Sequence, residues 1–122
     1  MNNILIIDDQ KLIRSSLKVA LGKEAYAVHL ARTGAEGLGI IREHNVDLVL
    51  LDISLPDLDG YAILNAIRKN PALTRLPVIA LTAHAMTGDR DKILAAGFND
   101  YVAKPIDDEA ILLNSIARLL GH

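Results

Sequence analysis

The segment LVLLDISLPDLDG, residues 48–60, runs four apolar residues directly into a single carboxylate, Asp52. A short apolar run followed by turn residues, here Pro56 and Gly60, is typical of a strand that is buried on both faces of a parallel sheet. Asp52 would then lie at the carboxyl end of that strand, which is the edge where open α/β sheets bind their ligands. Taken alone, an aspartate at this position can equally start a turn, so its role depends on the ends of the other strands.

Composition excludes several classes of protein. The chain has 122 residues, of which 51% are hydrophobic, so it suits one folded domain and is too apolar for a disordered segment. It contains no cysteine, which excludes disulfides and thiolate chemistry. A net charge of −2 and 3% aromatic residues give no surface for nucleic acid. No apolar run approaches the roughly 20 residues that span a bilayer and no leader pattern begins the chain, so we expect a cytoplasmic domain without membrane contact.

Apolar segments alternate with helical patterns along the whole chain. Strands are predicted at residues 4–7, 26–30, 48–52, 78–82 and 101–103, each followed by a helix. This alternation predicts a five-stranded parallel sheet with right-handed connections and helices on both faces. The order 2-1-3-4-5 keeps the three most apolar strands central, so we expect a flavodoxin-like, doubly wound α/β domain that fills residues 1–122.

Sequence spacing also predicts which helix faces are buried. In the second helix, Thr33 is the expected N-cap and Glu36 its capping-box partner, while Ala35, Leu38 and Ile41 are expected to face the core. For the last helix, the spacing predicts a buried face made of Leu113, Ile116, Ala117 and Leu120.

Four of the five predicted strands end in polar residues, which a parallel sheet brings to one edge: Asp8 and Asp9, Asp52, Thr82, and Lys104. Three carboxylates at close range repel one another, which raises a pKa or calls for a cation. An all-oxygen cluster suits a hard ion such as Mg²⁺. A carboxylate beside such an ion can accept a phosphoryl group, and an ammonium and a hydroxyl can each hold one phosphoryl oxygen.

From residue 4 to residue 120 the chain resembles the receiver domain of response regulators in two-component signalling. The resemblance rests on Asp8-Asp9, Asp52, residues 55–60, Leu81-Thr82-Ala83 and Lys104-Pro105, all in matching order. It implies that Asp52 accepts a phosphoryl group from a phosphohistidine donor and becomes an aspartyl phosphate.

The resemblance also implies a role for each neighbour of Asp52. Asp9 would bind Mg²⁺ directly, Asp8 directly or through water, and the carbonyl of Ser54 would be a further ligand beside Asp52. Thr82 and Lys104 would contact the aspartyl phosphate. The peptide bond between Lys104 and Pro105 would be cis.

By the same resemblance the chain is a signalling switch and not an enzyme, although it would catalyse its own phosphoryl transfer and autodephosphorylation. Its donor would be a sensor histidine kinase or a histidine phosphotransfer protein. Tyr101 would follow Thr82 when the phosphoryl group arrives, and an output partner would bind the face made by the fourth helix, fifth strand and fifth helix. Candidate residues for that face are Ala85, Thr87, Gly88 and Asp91. Ser54 and His84 occupy positions that modulate phosphoryl lifetime in the family.

Three alternatives use a similar layout. A haloacid-dehalogenase-like phosphatase would place its nucleophile in an Asp-x-Asp motif after the first strand, where this chain has Asp8-Asp9-Gln10. A flavodoxin would need a Ser/Thr-rich phosphate loop at the same place. A degenerate receiver used only as a scaffold would lack part of the acidic, hydroxyl and lysine set. Both a single-domain regulator and a receiver of a hybrid kinase or larger regulator are compatible with residues 80–89.

Overall fold

The computed structural model describes residues 2–83, 87–106 and 108–121, and the side chains of Thr87 and Gly88 are not described. The strands are β1 (Asn3–Ile7), β2 (Ala27–Ala31), β3 (Leu48–Asp52), β4 (Val78–Thr82) and β5 (Asp100–Ala103). The helices are α1 (Lys11–Gly22), α2 (Gly34–Glu43), α3 (Gly60–Lys69), α4 (Thr87–Ala96) and α5 (Glu109–Leu120), with a short 3₁₀ helix at Pro71–Leu73. Among the described helices none is both long and apolar enough to cross a bilayer.

All five strands are parallel and lie in the order β2-β1-β3-β4-β5, which confirms the predicted topology. Ile7 of β1 pairs with Leu51 of β3, so Asp8 and Asp52 follow these two residues side by side. On the other side of β3, Asp52 pairs with Leu81, which directly precedes Thr82. The register therefore brings the polar ends of β1, β3 and β4 together.

Two apolar layers enclose the sheet because successive side chains of a strand point to opposite faces. Every residue of β3 and β4 is buried, as the apolar runs predicted. On one face, Ile7 and Leu51 pack with residues of α2, α3 and α4. On the other, Ile6 and Leu50 pack with residues of α1 and α5. Both layers hold the strands rigidly beneath the polar edge.

Two helices bury faces that differ from the predicted ones. In α2 the buried residues are Gly34, Gly37 and Ile41, whereas Ala35 is exposed, so its predicted burial is wrong. Gly34 and Gly37 face inward, and the missing side chain at Gly37 permits the close contact, since a Cβ there would lie 2.4 Å from Ile7 Cδ1. Larger side chains would hold the helix off the sheet at this position.

In α5 the buried residues are Leu112, Ser115 and Ile116, while Leu113 and Ala117 are only half-buried. Leu120, predicted on the buried face, is also half-buried, whereas Ser115 lies on that face and donates a hydrogen bond to the Asp100 carboxylate of β5. An apolar pattern cannot identify a face that is anchored by a polar side chain.

Candidate functional site

The three carboxylates predicted at the sheet edge do come together. Asp8, Asp9 and Asp52 each present an oxygen, and these oxygens lie within 4.8 Å of one another. Asp8 and Asp52 are buried, whereas Asp9 is exposed to solvent. The cluster is therefore compatible with a divalent metal ion that is bound by protein oxygens on one side and by water on the other.

Asp52 is the last residue of β3 and is only 5% exposed. Its Oδ1 accepts a hydrogen bond of 3.0 Å from the Ser54 amide, and its Oδ2 lies 3.4 Å from Lys104 Nζ. Burial raises the pKa of the Asp52 carboxyl above its usual value, and the charge of Asp8 raises it further. The Ser54 amide and the Lys104 ammonium act in the opposite direction without cancelling the rise.

Asp8 is fully buried, and its two oxygens have different partners. Its Oδ1 accepts from the Gln10 amide at 2.9 Å. Its Oδ2 forms an ion pair with Lys104, whose Nζ lies 2.7 Å away, and among the described residues no other group donates to this atom. A buried carboxylate whose oxygen faces one ammonium and lies beside two further carboxylates fits a metal ligand, since that oxygen has a second lone pair.

Lys104 directly follows β5, and its amide continues the strand pairing by donating to the Thr82 carbonyl at 2.7 Å. The peptide bond to Pro105 is cis. The ammonium is nearly buried and contacts the carboxylates of Asp8 and Asp52 together with Gln10 Oε1, which lies 3.3 Å away. The ammonium thus contacts two of the three carboxylates of the cluster. Gln10 was not predicted as part of this site, and its position directly after Asp8-Asp9 is the only sequence signal for it.

Thr82 ends β4 and is 6% exposed. It pairs with Ala103 of β5, and Ala80 pairs with Tyr101, so Thr82 and Tyr101 lie on the same face of neighbouring strands. Tyr101 is half-buried, packs on the core between the sheet and helices α2 to α4, and lines a groove of about 500 Å³ with Arg90 and Ile111. The predicted pair of Thr82 and Tyr101 is therefore diagonal across neighbouring strands, offset by two residues on one face of the sheet.

Several other predicted residues contribute differently or cannot be placed. Ser54 reaches the site through its backbone, since its amide donates to Asp52 and its side chain is exposed. Asp91 is exposed on α4. His84 and Ala85, and the side chains of Thr87 and Gly88, lie outside what the structure describes.

The loop between β3 and α3 returns tightly on itself behind Asp52. Ser54 and Asp59 form an isolated antiparallel bridge, and the Gly60 amide donates to the Ile53 carbonyl at 2.9 Å. A Cβ at Gly60 would lie 2.6 Å from Ile53 Cα, so only glycine permits this return. At the tip of the loop, Asp57 accepts hydrogen bonds from two amides of α2, a contact that sequence reasoning missed.

A family model described as the response regulator receiver domain matches residues 4–116, which is most of the chain. The chain belongs to the response regulator receiver family. A receiver domain of this family acts in two-component signalling and interacts with histidine kinases and output partners. This membership excludes the phosphatase and flavodoxin alternatives.

Two relatives and one solved structure show the range of proteins that contain a domain similar to this chain. The polar-differentiation response regulator DivK of Brucella ovis is 35% identical over 104 residues, covering 85% of either chain. The signal transduction histidine-protein kinase BarA of Escherichia coli is 35% identical over 108 residues. The matched region covers 88% of this chain but only 12% of BarA, so the chain is similar to a small part of that kinase. The solved structure is the receiver domain of sensor histidine kinase PA1611 from Pseudomonas aeruginosa, which has a magnesium ion coordinated in its active-site cleft. It is 36% identical to this chain and superposes with a TM-score of 0.89, covering 99% of this chain and 98% of the other.

Proposed function

We propose that this receiver is a phosphorylation-dependent switch in which Asp52 accepts a phosphoryl group from a phosphohistidine of a sensor histidine kinase or histidine phosphotransfer protein. The observation that carries the proposal is the position of Asp52, a buried carboxylate between two other carboxylates and the Lys104 ammonium. It works in the cytoplasm as a signalling protein. It is not an enzyme acting on a separate substrate, although it promotes its own phosphorylation and autodephosphorylation.

Mg²⁺ is the proposed ion for the acidic cluster. Asp9 and Asp52 would bind it through carboxylate oxygens, Ser54 through its carbonyl, and Asp8 directly or through a water molecule. The closeness of the three carboxylates and the exposure of Asp9 suit an ion that keeps part of its hydration shell. When bound, such an ion offsets the charge of the phosphoryl oxygens. The magnesium in the cleft of the PA1611 receiver supports this assignment.

The chemistry of transfer follows from the positions of this chain's own side chains. A carboxylate oxygen of Asp52 forms the new bond to phosphorus while the bond from phosphorus to the donor imidazole nitrogen breaks, and that nitrogen keeps the electron pair. Lys104, now shared between Asp8 and Asp52, can turn from Asp8 to a phosphoryl oxygen. The Thr82 hydroxyl would donate to a second phosphoryl oxygen.

The signal would leave the site through Thr82 and Tyr101. A hydroxyl drawn toward the phosphoryl group vacates space on the face that Tyr101 shares, and the tyrosine ring can move into it. That movement would reshape the groove between α4, β5 and α5, which Tyr101 lines with Arg90 and Ile111. We propose this groove as the surface that an output partner reads.

Intact mass measurement tests the proposal directly. Incubated with Mg²⁺ and acetyl phosphate, the wild-type protein should gain the mass of one phosphoryl group, and hydroxylamine should release it, as expected for an acyl phosphate. Asp52→Asn should gain nothing, whereas Asp47→Asn, a change of a carboxylate that bonds the Asn3 amide, should gain as much as the wild type. No gain in the wild type, or an equal gain in Asp52→Asn, would overturn the assignment.

A further inference from the structure

The N-terminus of α2 is held by a residue that lies outside the helix. A helix leaves its first four amides without partners inside the helix. Here the Gly34 amide donates to Asp57 Oδ1 at 2.9 Å and the Ala35 amide to Asp57 Oδ2 at 3.1 Å. The next two amides donate to Thr33, one to its hydroxyl and one to its carbonyl. The helix end is therefore completed by the loop that follows β3.

A missing side chain allows this loop to approach the helix closely. A Cβ added at Gly34 would lie 3.2 Å from Leu58 Cβ and 2.5 Å from Ile63 Cδ1. The contact with Leu58 would be tighter than most between packed carbon atoms, and the contact with Ile63 would require that side chain to move. The apolar approach of Leu58 and the two hydrogen bonds of Asp57 thus fix the same few residues of the loop against the same turn of α2.

The anchored tip is connected to the site by a short and stiff segment. Only Leu55 and Pro56 separate Asp57 from Ser54; Leu55 is buried, and proline restricts its own backbone. The bridge between Ser54 and Asp59 closes the base of the loop. A displacement of Asp57 would therefore be transmitted to the Ser54 backbone, whose amide bonds Asp52.

We propose that Asp57 is a positioning residue of the phosphoacceptor site. Anchored on α2, it holds the Ser54 backbone where the amide bonds Asp52 Oδ1 and the carbonyl is available to the metal ion; the second role rests on the proposed function. The Gly34 amide holds the pKa of Asp57 below its usual range, so the carboxylate that makes the anchor stays ionised at neutral pH.

The test compares Asp57→Ala with Thr33→Ala. Both remove hydrogen bonds from the N-terminus of α2, but only the first releases the loop. In the metal-free protein, amide hydrogen exchange at Ser54 should be about fivefold faster in Asp57→Ala and unchanged in Thr33→Ala. In calorimetric titration, Mg²⁺ should bind about tenfold more weakly to Asp57→Ala than to Thr33→Ala. Asp57→Asn, which keeps one accepting oxygen, should give intermediate values and serves if the alanine variant does not fold.

Each result decides the proposal. Equal exchange at Ser54 in both alanine variants, or faster exchange in both, would overturn the positioning role and leave a purely structural cap. If the wild type binds no Mg²⁺, the proposed metal site fails, while the exchange rates still decide whether Asp57 positions Ser54.

Discussion

Asp52 carries a negative charge that its surroundings disfavour. Its folded pKa is raised, by burial first and by Asp8 next, so the folded state binds more protons than the unfolded state at mildly acidic pH. The metal-free protein should therefore lose stability as the pH rises from the usual range of a carboxyl through the raised pKa. Asp52→Asn removes this loss, and its Oδ1 can still accept from Ser54.

We therefore expect thermal unfolding of metal-free Asp52→Asn to occur at a higher temperature than that of the wild type near neutral pH, with the difference shrinking at lower pH. Mg²⁺ at about one hundred times its Kd should stabilise the wild type by about 2.7 kcal/mol and Asp52→Asn by much less. A variant less stable than the metal-free wild type at neutral pH would contradict this account of the charge.

Among the described residues, Lys104 is the one cation that forms an ion pair with the carboxylates of Asp8 and Asp52. Removing it leaves the fully buried Asp8 carboxylate without its ion-pair partner, which lowers the free energy of unfolding by about 3–5 kcal/mol. We expect that loss for Lys104→Met in chemical denaturation without metal, with part of it recovered when Mg²⁺ supplies positive charge. Lys69→Met changes an exposed lysine and should stay within about 0.5 kcal/mol of the wild type. Equal stability of the two variants would show that the Lys104 contacts carry little energy.

At the residue scale, the sequence predicted the members of the site better than their contacts. A parallel sheet leaves a strand end little freedom of position, and five residues of the site lie at or just beyond such an end: Asp8, Asp9, Asp52, Thr82 and Lys104. The contacts of Gln10 and Asp57 depend on loop conformation, which no periodicity describes. A carboxylate 22 or 23 residues from the amides that it bonds gives no local signal at all.

Helix α2 shows that the effect of a glycine on stability depends on which face of the helix it occupies. It contains Gly34, Gly37 and Gly39, of which Gly37 packs against Ile7 while a Cβ at Gly39 would meet no atom within 4 Å. Gly39→Ala should stabilise the protein by about 0.5–1 kcal/mol, since alanine orders the helix backbone at lower cost. Gly37→Ala should destabilise it by about 1–2 kcal/mol, because the new Cβ displaces a fully buried isoleucine.

Urea denaturation measures both glycine variants against the same wild type. Stabilisation by Gly37→Ala would show that Ile7 can move without cost and that α2 is not pressed on the sheet. The same contact explains why the predicted face of this helix was wrong at Ala35: a pattern of apolar side chains cannot recognise a face on which the absence of a side chain allows packing.

At the scale of the whole molecule, topology was the most predictable property. Five apolar segments separated by helices admit few right-handed arrangements, and burial of the three most apolar strands selects one of them. The groove between α4, β5 and α5 was not predictable in shape, because it depends on how Tyr101, Arg90 and Ile111 pack across three elements. The sheet thus connects the polar strand ends, which the sequence predicts, to the groove between α4, β5 and α5, whose shape depends on the folded chain.

The ring of Tyr101 should therefore respond to phosphorylation at the opposite end of this connection. The chain contains three tyrosines, so 3-fluorotyrosine labelling should give three ¹⁹F resonances. Phosphorylation by acetyl phosphate should shift the Tyr101 resonance, because its ring shares a sheet face with Thr82, and should leave Tyr26 unchanged, because it lies beside β2 at the opposite edge of the sheet. In Thr82→Ala the phosphoryl mass should still appear while the Tyr101 shift is lost. If Tyr101 shifts equally in the variant, or not at all in phosphorylated wild type, the signal does not pass from Thr82 to Tyr101.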